Sequence, residues 1–98
     1  MIVEFEDPDL ESLYWGNLQN PRMDRDLVRS FQKVVGLLRQ VSDDQELRSF
    51  KALRLEKLKG DRAGQSSLRL HGGNRLIVWF RTDPQGRVVV VVEIVDYH

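Results

Sequence analysis

The chain has 98 residues, of which 41% are apolar, and its 15 basic and 15 acidic side chains give a formal net charge of zero. This length predicts a single domain, residues 1–98, near the lower limit at which one hydrophobic core is self-sufficient. The neutral balance argues against a general nucleic-acid binder. The absence of cysteine excludes disulfides and thiolate chemistry, and two histidines without cysteines argue against structural zinc. We expect neither a metal nor another cofactor.

The N-terminal half predicts one short strand followed by two main helices. Residues 2–5 are β-prone, and Asp7-Pro8 then starts a helix because Asp caps the first turn and Pro suits its φ angle. This helix is expected to end near Gly16, and Asn20-Pro21 marks the connection to the next element. Apolar side chains recur at helical spacing over residues 24–41, which predicts a longer amphipathic helix.

The C-terminal half predicts an antiparallel sheet. From Ala52 onward the apolar period changes to two, which is typical of strands with one solvated face; the alternating residues are Leu53, Leu55, Leu68 and Leu70. Residues 76–80 and 88–95 are apolar runs, and Asp83-Pro84-Gln85-Gly86 between them predicts a type I turn and a hairpin. The run 88–92 is expected to lie centrally in the sheet or under a partner. The fold class is therefore α+β, with helices covering one face of a three- or four-stranded meander.

The sequence lacks the features of an exported or membrane protein. No apolar run approaches the length that spans a bilayer, and residues 1–7 have neither the basic nor the apolar region of a secretory signal. These observations predict a cytoplasmic protein.

The charges are distributed unevenly along the chain. Residues 51–75 carry seven basic and two acidic side chains, whereas residues 1–12 carry five acidic side chains and no cation. Such polarity would attract an RNA backbone to one face and repel it from another. The alternative is a solvated surface whose charges average out.

Three short blocks contain the groups that RNA cleavage requires, namely a proton acceptor for the 2′-hydroxyl, positive charge and a proton donor. They are residues 57–62, residues 72–76 and Asp96-Tyr97-His98. In this order they resemble HigB-type toxins of the RelE/ParE superfamily, over residues 50–80, the final tripeptide and, more loosely, residues 1–5. The resemblance covers about half the chain and implies a RelE-like fold. It also implies a metal-independent endoribonuclease that cuts mRNA in the ribosomal A site, with a helix-turn-helix, HigA-like antitoxin as partner.

The resemblance assigns roles to individual residues. Arg75 opens a strand where the family carries an arginine, and it would bind the scissile phosphate together with Lys57. Tyr97 would order the substrate, His98 would handle a proton and Asp96 would lie at the same active face. Without the resemblance, the residues themselves favour a frayed, solvent-exposed terminus. Flanking RNA phosphates would contact the remaining cations, Lys59, Arg62 and Arg69.

Glu56 departs from the family pattern, because several relatives have a catalytic histidine at its place. A glutamate could serve as general base toward the 2′-hydroxyl. Alternatively, it is a strand carboxylate paired with Lys57 or Arg54. The sequence does not choose between these two interpretations.

Two competing functions use the same fold. A ParE-like poison of a topoisomerase would inhibit by binding, and Asp96-Tyr97-His98 argues against it. A non-catalytic protein that only binds its antitoxin is supported by the departure at Glu56 and by the zero net charge.

Overall fold

The computed structural model describes residues 1–18 and 23–96 as three helices on one face of a five-stranded sheet. The elements in chain order are β1 (Ile2–Phe5), α1 (Pro8–Tyr14), α2 (Arg25–Gln40), α3 (Asp44–Arg48), β2 (Glu56–Lys57), β3 (Ser66–Arg69), β4 (Asn74–Asp83) and β5 (Gly86–Asp96). The sheet order is β1-β5-β4-β3-β2. Strands β2 to β5 form the antiparallel meander, and β1 joins it by parallel pairing with β5. The predicted α+β class is confirmed, whereas the predicted connection at Asn20-Pro21 lies outside the described residues.

Side-chain caps set the beginnings of both main helices. The Asp7 carboxylate accepts a bond from Asp9 N at 2.9 Å, and the Asp24 carboxylate accepts from Asp26 N and Leu27 N at 2.6 and 3.0 Å. Each cap satisfies N–H groups that the first turn leaves without a partner. The buried stripe of α2 matches the predicted helix over residues 24–41 and consists of Leu27, Phe31, Val34, Val35 and Leu38.

The β4–β5 hairpin is the centre of the sheet. Asp83 pairs with Gly86, and the Asp83 carboxylate accepts from Gln85 N at 2.9 Å, which stabilises the predicted tight turn. Strand β5 lies between β1 and β4, so the run 88–92 is central, as the sequence predicted. A bulge at Val92 shifts the register, because Val78 faces Val91 while Ile77 faces Glu93.

The strand predicted from Ala52 onward is wrong over residues 52–55. Lys51–Leu53 form a 3₁₀ turn, which Arg54 N closes by donating to Lys51 O at 3.2 Å. Arg54 itself has a left-handed backbone with φ of 47°. Leu53 and Leu55 still pack on the core from this turn, so their alternation reflects burial without a strand. Strand β2 is consequently only two residues long.

The two faces of the sheet differ in composition. Apolar side chains of β3, β4 and β5, and Leu70 directly after β3, share the core with α2; those of the strands are Leu68, Leu76, Val78, Val89 and Val91. Alternation sends the neighbouring side chains to the other face, here called the open face. Its polar and aromatic side chains include Glu4, Glu56, Ser67, Arg69, Arg75, Trp79, Arg81 and Glu93. Within the two described ranges, no helix is long and apolar enough to span a membrane.

Candidate functional site

Arg75 is held rigidly on the open face near the start of β4. Its Nε donates to Ser67 Oγ at 3.2 Å, and its Nη2 donates to Ser67 Oγ at 2.8 Å, to Ser67 O at 3.3 Å and to Arg54 O at 2.6 Å. The side chain is 13% exposed. Among the described residues, no acceptor is bonded to Nη1. The protein therefore positions one edge of the guanidinium fork and leaves the other edge for a further acceptor.

Glu56 lies beside this guanidinium. It pairs in register with Ser67 on the neighbouring strand, and its Oε2 is 3.8 Å from Arg75 Nη2. The Glu56 side chain is 63% exposed, so its carboxylate can contact a ligand from solvent. The ion-pair partner is thus Arg75, where the sequence suggested Lys57 or Arg54.

The Glu56–Arg75 pair combines a proton acceptor with a phosphate-binding fork. A carboxylate can remove a proton from a hydroxyl, and guanidinium N–H groups match two oxygens of a phosphate. The two groups arrive there from different parts of the chain, because β2 and β4 are both neighbours of β3. The arrangement can therefore hold a phosphodiester and accept a proton beside it.

Three of the predicted RNA-binding cations lie around this pair, but their charges are not equally available. Lys59 is exposed in the β2–β3 connection, and Arg69 is exposed directly opposite Arg75. Arg62 instead contacts Glu93 at 3.1 Å and donates to Gln65 Oε1 at 2.9 Å. Its charge is largely offset by Glu93, so Lys59 and Arg69 contribute more to the positive potential of this region.

Lys57 lies on the other side of the sheet from Glu56. Successive strand residues alternate between faces, and Lys57 lines a cavity of about 420 Å³ beside Phe80 and the Asp44–Arg87 pair. Arg87 donates to both Asp44 oxygens, at 3.1 and 3.2 Å. Burial acts to raise the pKa of Asp44, but the bonds and charge of Arg87 outweigh it and lower that pKa overall. The structure does not bring Lys57 together with Arg75.

The C-terminal block is described only at its first residue. Asp96 is exposed, ends β5 and pairs with Asn74 next to Arg75. Tyr97 and His98, which the sequence places in the site, lie outside the described residues. Their predicted roles remain predictions.

Two groups that hold Arg75 were missed by sequence reasoning. Ser67 is 1% exposed and supplies both a hydroxyl and a carbonyl oxygen, and the left-handed Arg54 turns its own carbonyl toward the guanidinium. The alternation with Leu68 and Leu70 assigns Ser67 to the outward face, so its burial has no signal in the sequence. The Arg54 carbonyl has no signal either, since a left-handed arginine cannot be read from the residue type.

Comparisons with known proteins support the fold. No family model matches the sequence, and no curated protein matches it. Among solved structures, the chain is similar to a YoeB/ParE toxin from Agrobacterium tumefaciens, with a TM-score of 0.63 and 18% identity over 100% of both chains. At this identity the similarity shows the fold alone, which is the RelE-like α+β fold that the sequence predicted.

Proposed function

We propose that the protein is the toxin of a type II toxin–antitoxin pair and that it cuts mRNA in the ribosomal A site without a metal. The observation that carries this proposal is the Glu56–Arg75 pair, with 3.8 Å between carboxylate and guanidinium on the open face. The similarity in fold to a YoeB/ParE toxin, over the full length of both chains, supports the proposal. A HigA-like helix-turn-helix antitoxin is the proposed partner, and the ribosome is the proposed setting of the reaction.

In the proposed mechanism, Glu56 takes the proton of a ribose 2′-hydroxyl. The 2′-oxygen then forms a bond to phosphorus, and the bond to the 5′-oxygen of the next nucleotide breaks. The products are a 2′,3′-cyclic phosphate and a 5′-hydroxyl. Arg75 binds the phosphate oxygens on which charge develops, and His98 returns a proton to the leaving 5′-oxygen. Tyr97 orders the RNA by stacking, and Asp96 supports this end of the strand.

The cations would contact the RNA on both sides of the cut. Lys59 and Arg69 are the better candidates for flanking phosphates, because Arg62 already pairs with Glu93. Lys57 would reach the RNA from the other face, which is feasible because β2 is the edge strand of the sheet. Lys57 would therefore contact a phosphate other than the scissile one, whereas the sequence predicted that it binds the scissile phosphate together with Arg75.

Primer extension on a defined mRNA tests the proposal directly. The purified protein is incubated with the mRNA in the presence and absence of translating ribosomes, with EDTA in the ribosome-free arm. Cuts that require ribosomes are the expected result. Ribosome-free cuts that survive EDTA would keep the nuclease and reject the A-site mechanism. If neither arm shows cuts, inhibition of topoisomerase supercoiling should be measured next, because that result separates a ParE-like poison from a protein that only binds an antitoxin.

A further inference from the structure

A second surface, on the helix side of the sheet, has the character of a binding groove. It lies between α2 and residues 50–53, has a volume of about 830 Å³ and is here called the α2 groove. Its apolar side chains are Val34, Leu37, Phe50, Ala52, Leu53 and Leu70. The volume falls within the range of about 300–1,000 Å³ that is usual for binding pockets. The groove is separate from the Glu56–Arg75 pair, which lies on the open face.

The charged residues of the α2 groove all have the same sign. Lys33, Lys51 and Arg69 line it, and no aspartate or glutamate is among its lining residues in the described chain. This bias occurs in a protein whose acidic and basic residues are equal in number. The positive potential favours an acidic ligand, both by attraction and by exclusion of basic competitors.

Phe50 is fixed in an exposed position at the wall of the groove. Its backbone N donates to Leu47 O at 3.1 Å, and its carbonyl accepts from Leu53 N at 3.0 Å. The residue is nevertheless 41% exposed. Because the backbone of Phe50 is already held by hydrogen bonds, the residue loses little conformational freedom when a partner covers its side chain. This property suits an anchor residue of an interface.

We propose that the α2 groove binds an acidic amphipathic segment of a partner protein. Apolar side chains of the segment would cover Phe50, Leu37 and Leu53, and its carboxylates would contact Lys33 and Lys51. A helix with apolar residues at i, i+3, i+4 and i+7 has this combination of a narrow apolar face and a charged remainder. RNA fits less well, because the apolar part of the lining is aliphatic apart from one phenylalanine, which offers a single stacking surface. The proposal concerns binding alone and holds whether or not the protein cuts RNA.

Selection from a displayed library of random linear peptides, with the full chain as bait, tests the proposal. The enriched peptides are expected to be acidic and amphipathic. The affinity of a labelled enriched peptide should fall as the salt concentration rises. Phe50→Ala should weaken its binding about 10-fold or more, as expected when an interface anchor is truncated. Lys33→Glu should weaken binding and flatten its dependence on salt.

Matched controls distinguish binding in the α2 groove from non-specific binding and from the effects of misfolding. Trp15→Ala removes another exposed aromatic, which is 55% exposed at the end of α1, and Arg25→Glu reverses an exposed charge of α2 outside the groove. Both controls should bind the peptide like the unaltered protein, and circular dichroism should show that all four variants are folded. The proposal is overturned if no peptide is enriched or if the enriched peptides are not acidic. It is also overturned if Phe50→Ala binds these peptides with unchanged affinity, or if an oligouridylate displaces them. Phe50→Ala should still cut mRNA on ribosomes, so failure of the groove and failure of the nuclease give different results.

Discussion

Arg75 and Arg81 lie on the same strand and on the same face of the sheet, but their guanidinium groups have different surroundings. Arg81 donates to both oxygens of Glu4, at 2.9 and 2.7 Å, and is 3.6 Å from Asp83. Arg75 is bonded to uncharged oxygens of Ser67 and Arg54. The carboxylate of Glu56 lies farther from Arg75 than these oxygens do, at 3.8 Å.

The comparison shows that this face holds its arginine side chains in place in two ways. Only the way used for Arg75 leaves most of the positive charge of the guanidinium available to a ligand. The hydrogen bonds that Arg81 donates to Glu4 raise the pKa of Arg81 and lower the pKa of Glu4, as expected for an ion pair whose partners satisfy each other. Two carboxylates offset the charge of Arg81, so it has little attraction left for a phosphate. Neutral oxygens orient Arg75 without offsetting its charge, and the exposed Arg69 beside it adds to the local potential.

Removal of Arg75 should have the largest effect on activity. Arg75→Ala is expected to reduce ribosome-dependent cleavage about 1,000-fold, because the developing phosphorane loses its cation. It should also lower the free energy of unfolding by roughly 1–3 kcal/mol, since buried acceptors lose their donor. Primer extension and urea unfolding measure the two effects.

Arg81→Ala is the matched control, because it removes the same side chain from the same face. Its cleavage should equal that of the unaltered protein. Equal losses in both variants would remove the distinction between the two arginines, and full activity of Arg75→Ala would reject a role for Arg75 in cleavage.

Substitution of Glu56 separates its two interpretations. Glu56→Gln is expected to reduce cleavage about 100-fold, as loss of a general base does. The unfolding midpoint in urea should change little, because the side chain is 63% exposed. Unchanged cleavage would instead make Glu56 a structural carboxylate beside Arg75 and transfer the base to another residue.

Ser67 tests whether the orientation of Arg75 matters apart from its charge. Ser67→Ala removes the hydroxyl that receives two bonds from Arg75 and should lower the free energy of unfolding by about 1 kcal/mol. Cleavage should fall less than in Arg75→Ala, because the charge remains. Ser66→Ala is the control, since Ser66 is also buried but belongs to the other face of β3. Equal cleavage by the two serine variants would show that this hydroxyl does not contribute to the reaction.

The Glu4–Arg81 pair should give the smallest effect, and it should depend on pH. Arg81 lowers the pKa of Glu4 in the folded protein, chiefly through the hydrogen bond. The pair therefore contributes stability above the unfolded pKa, about 4.3 for glutamate, and loses it as the pH falls through the folded value. Glu4→Gln should be slightly less stable than the unaltered protein at neutral pH and equally stable in acid, as measured by urea unfolding. If the difference in the free energy of unfolding between Glu4→Gln and the unaltered protein grew in acid, the predicted direction of the pH dependence would be wrong.

The fold was predictable where local and global signals agree. The period of α2 and the turn at Asp83-Pro84-Gln85-Gly86 each require nothing beyond neighbouring residues, and both predictions are confirmed. The strand at residues 52–55 was predicted wrongly because alternating leucines are also compatible with a 3₁₀ turn from which Leu53 and Leu55 pack against the core. The parallel position of β1 has no local signal, since it depends on pairing with the far end of the chain.

The candidate site was predictable in part. Family resemblance selected Glu56 and Arg75, and the structure brings them together. The opposite placement of Lys57 followed from simple alternation and could have been predicted from the sequence. Ser67 and the Arg54 carbonyl depend on cross-strand register and on one left-handed residue, which only the folded structure reveals.

The parallel pairing of β1 with β5 also constrains how the protein folds. Ile2 pairs with Val88, so one of the first residues must find a partner that follows every helix and every other strand in the chain. Such distant contacts slow folding, because the chain loses the conformational entropy of closing a long loop before the strand pairing stabilises it. Helices α1 and α2 can form early, but β1 has no partner strand until β5 is in place. The β1 edge of the open face, with Glu4 on it, is therefore expected to be the last part of this face to form.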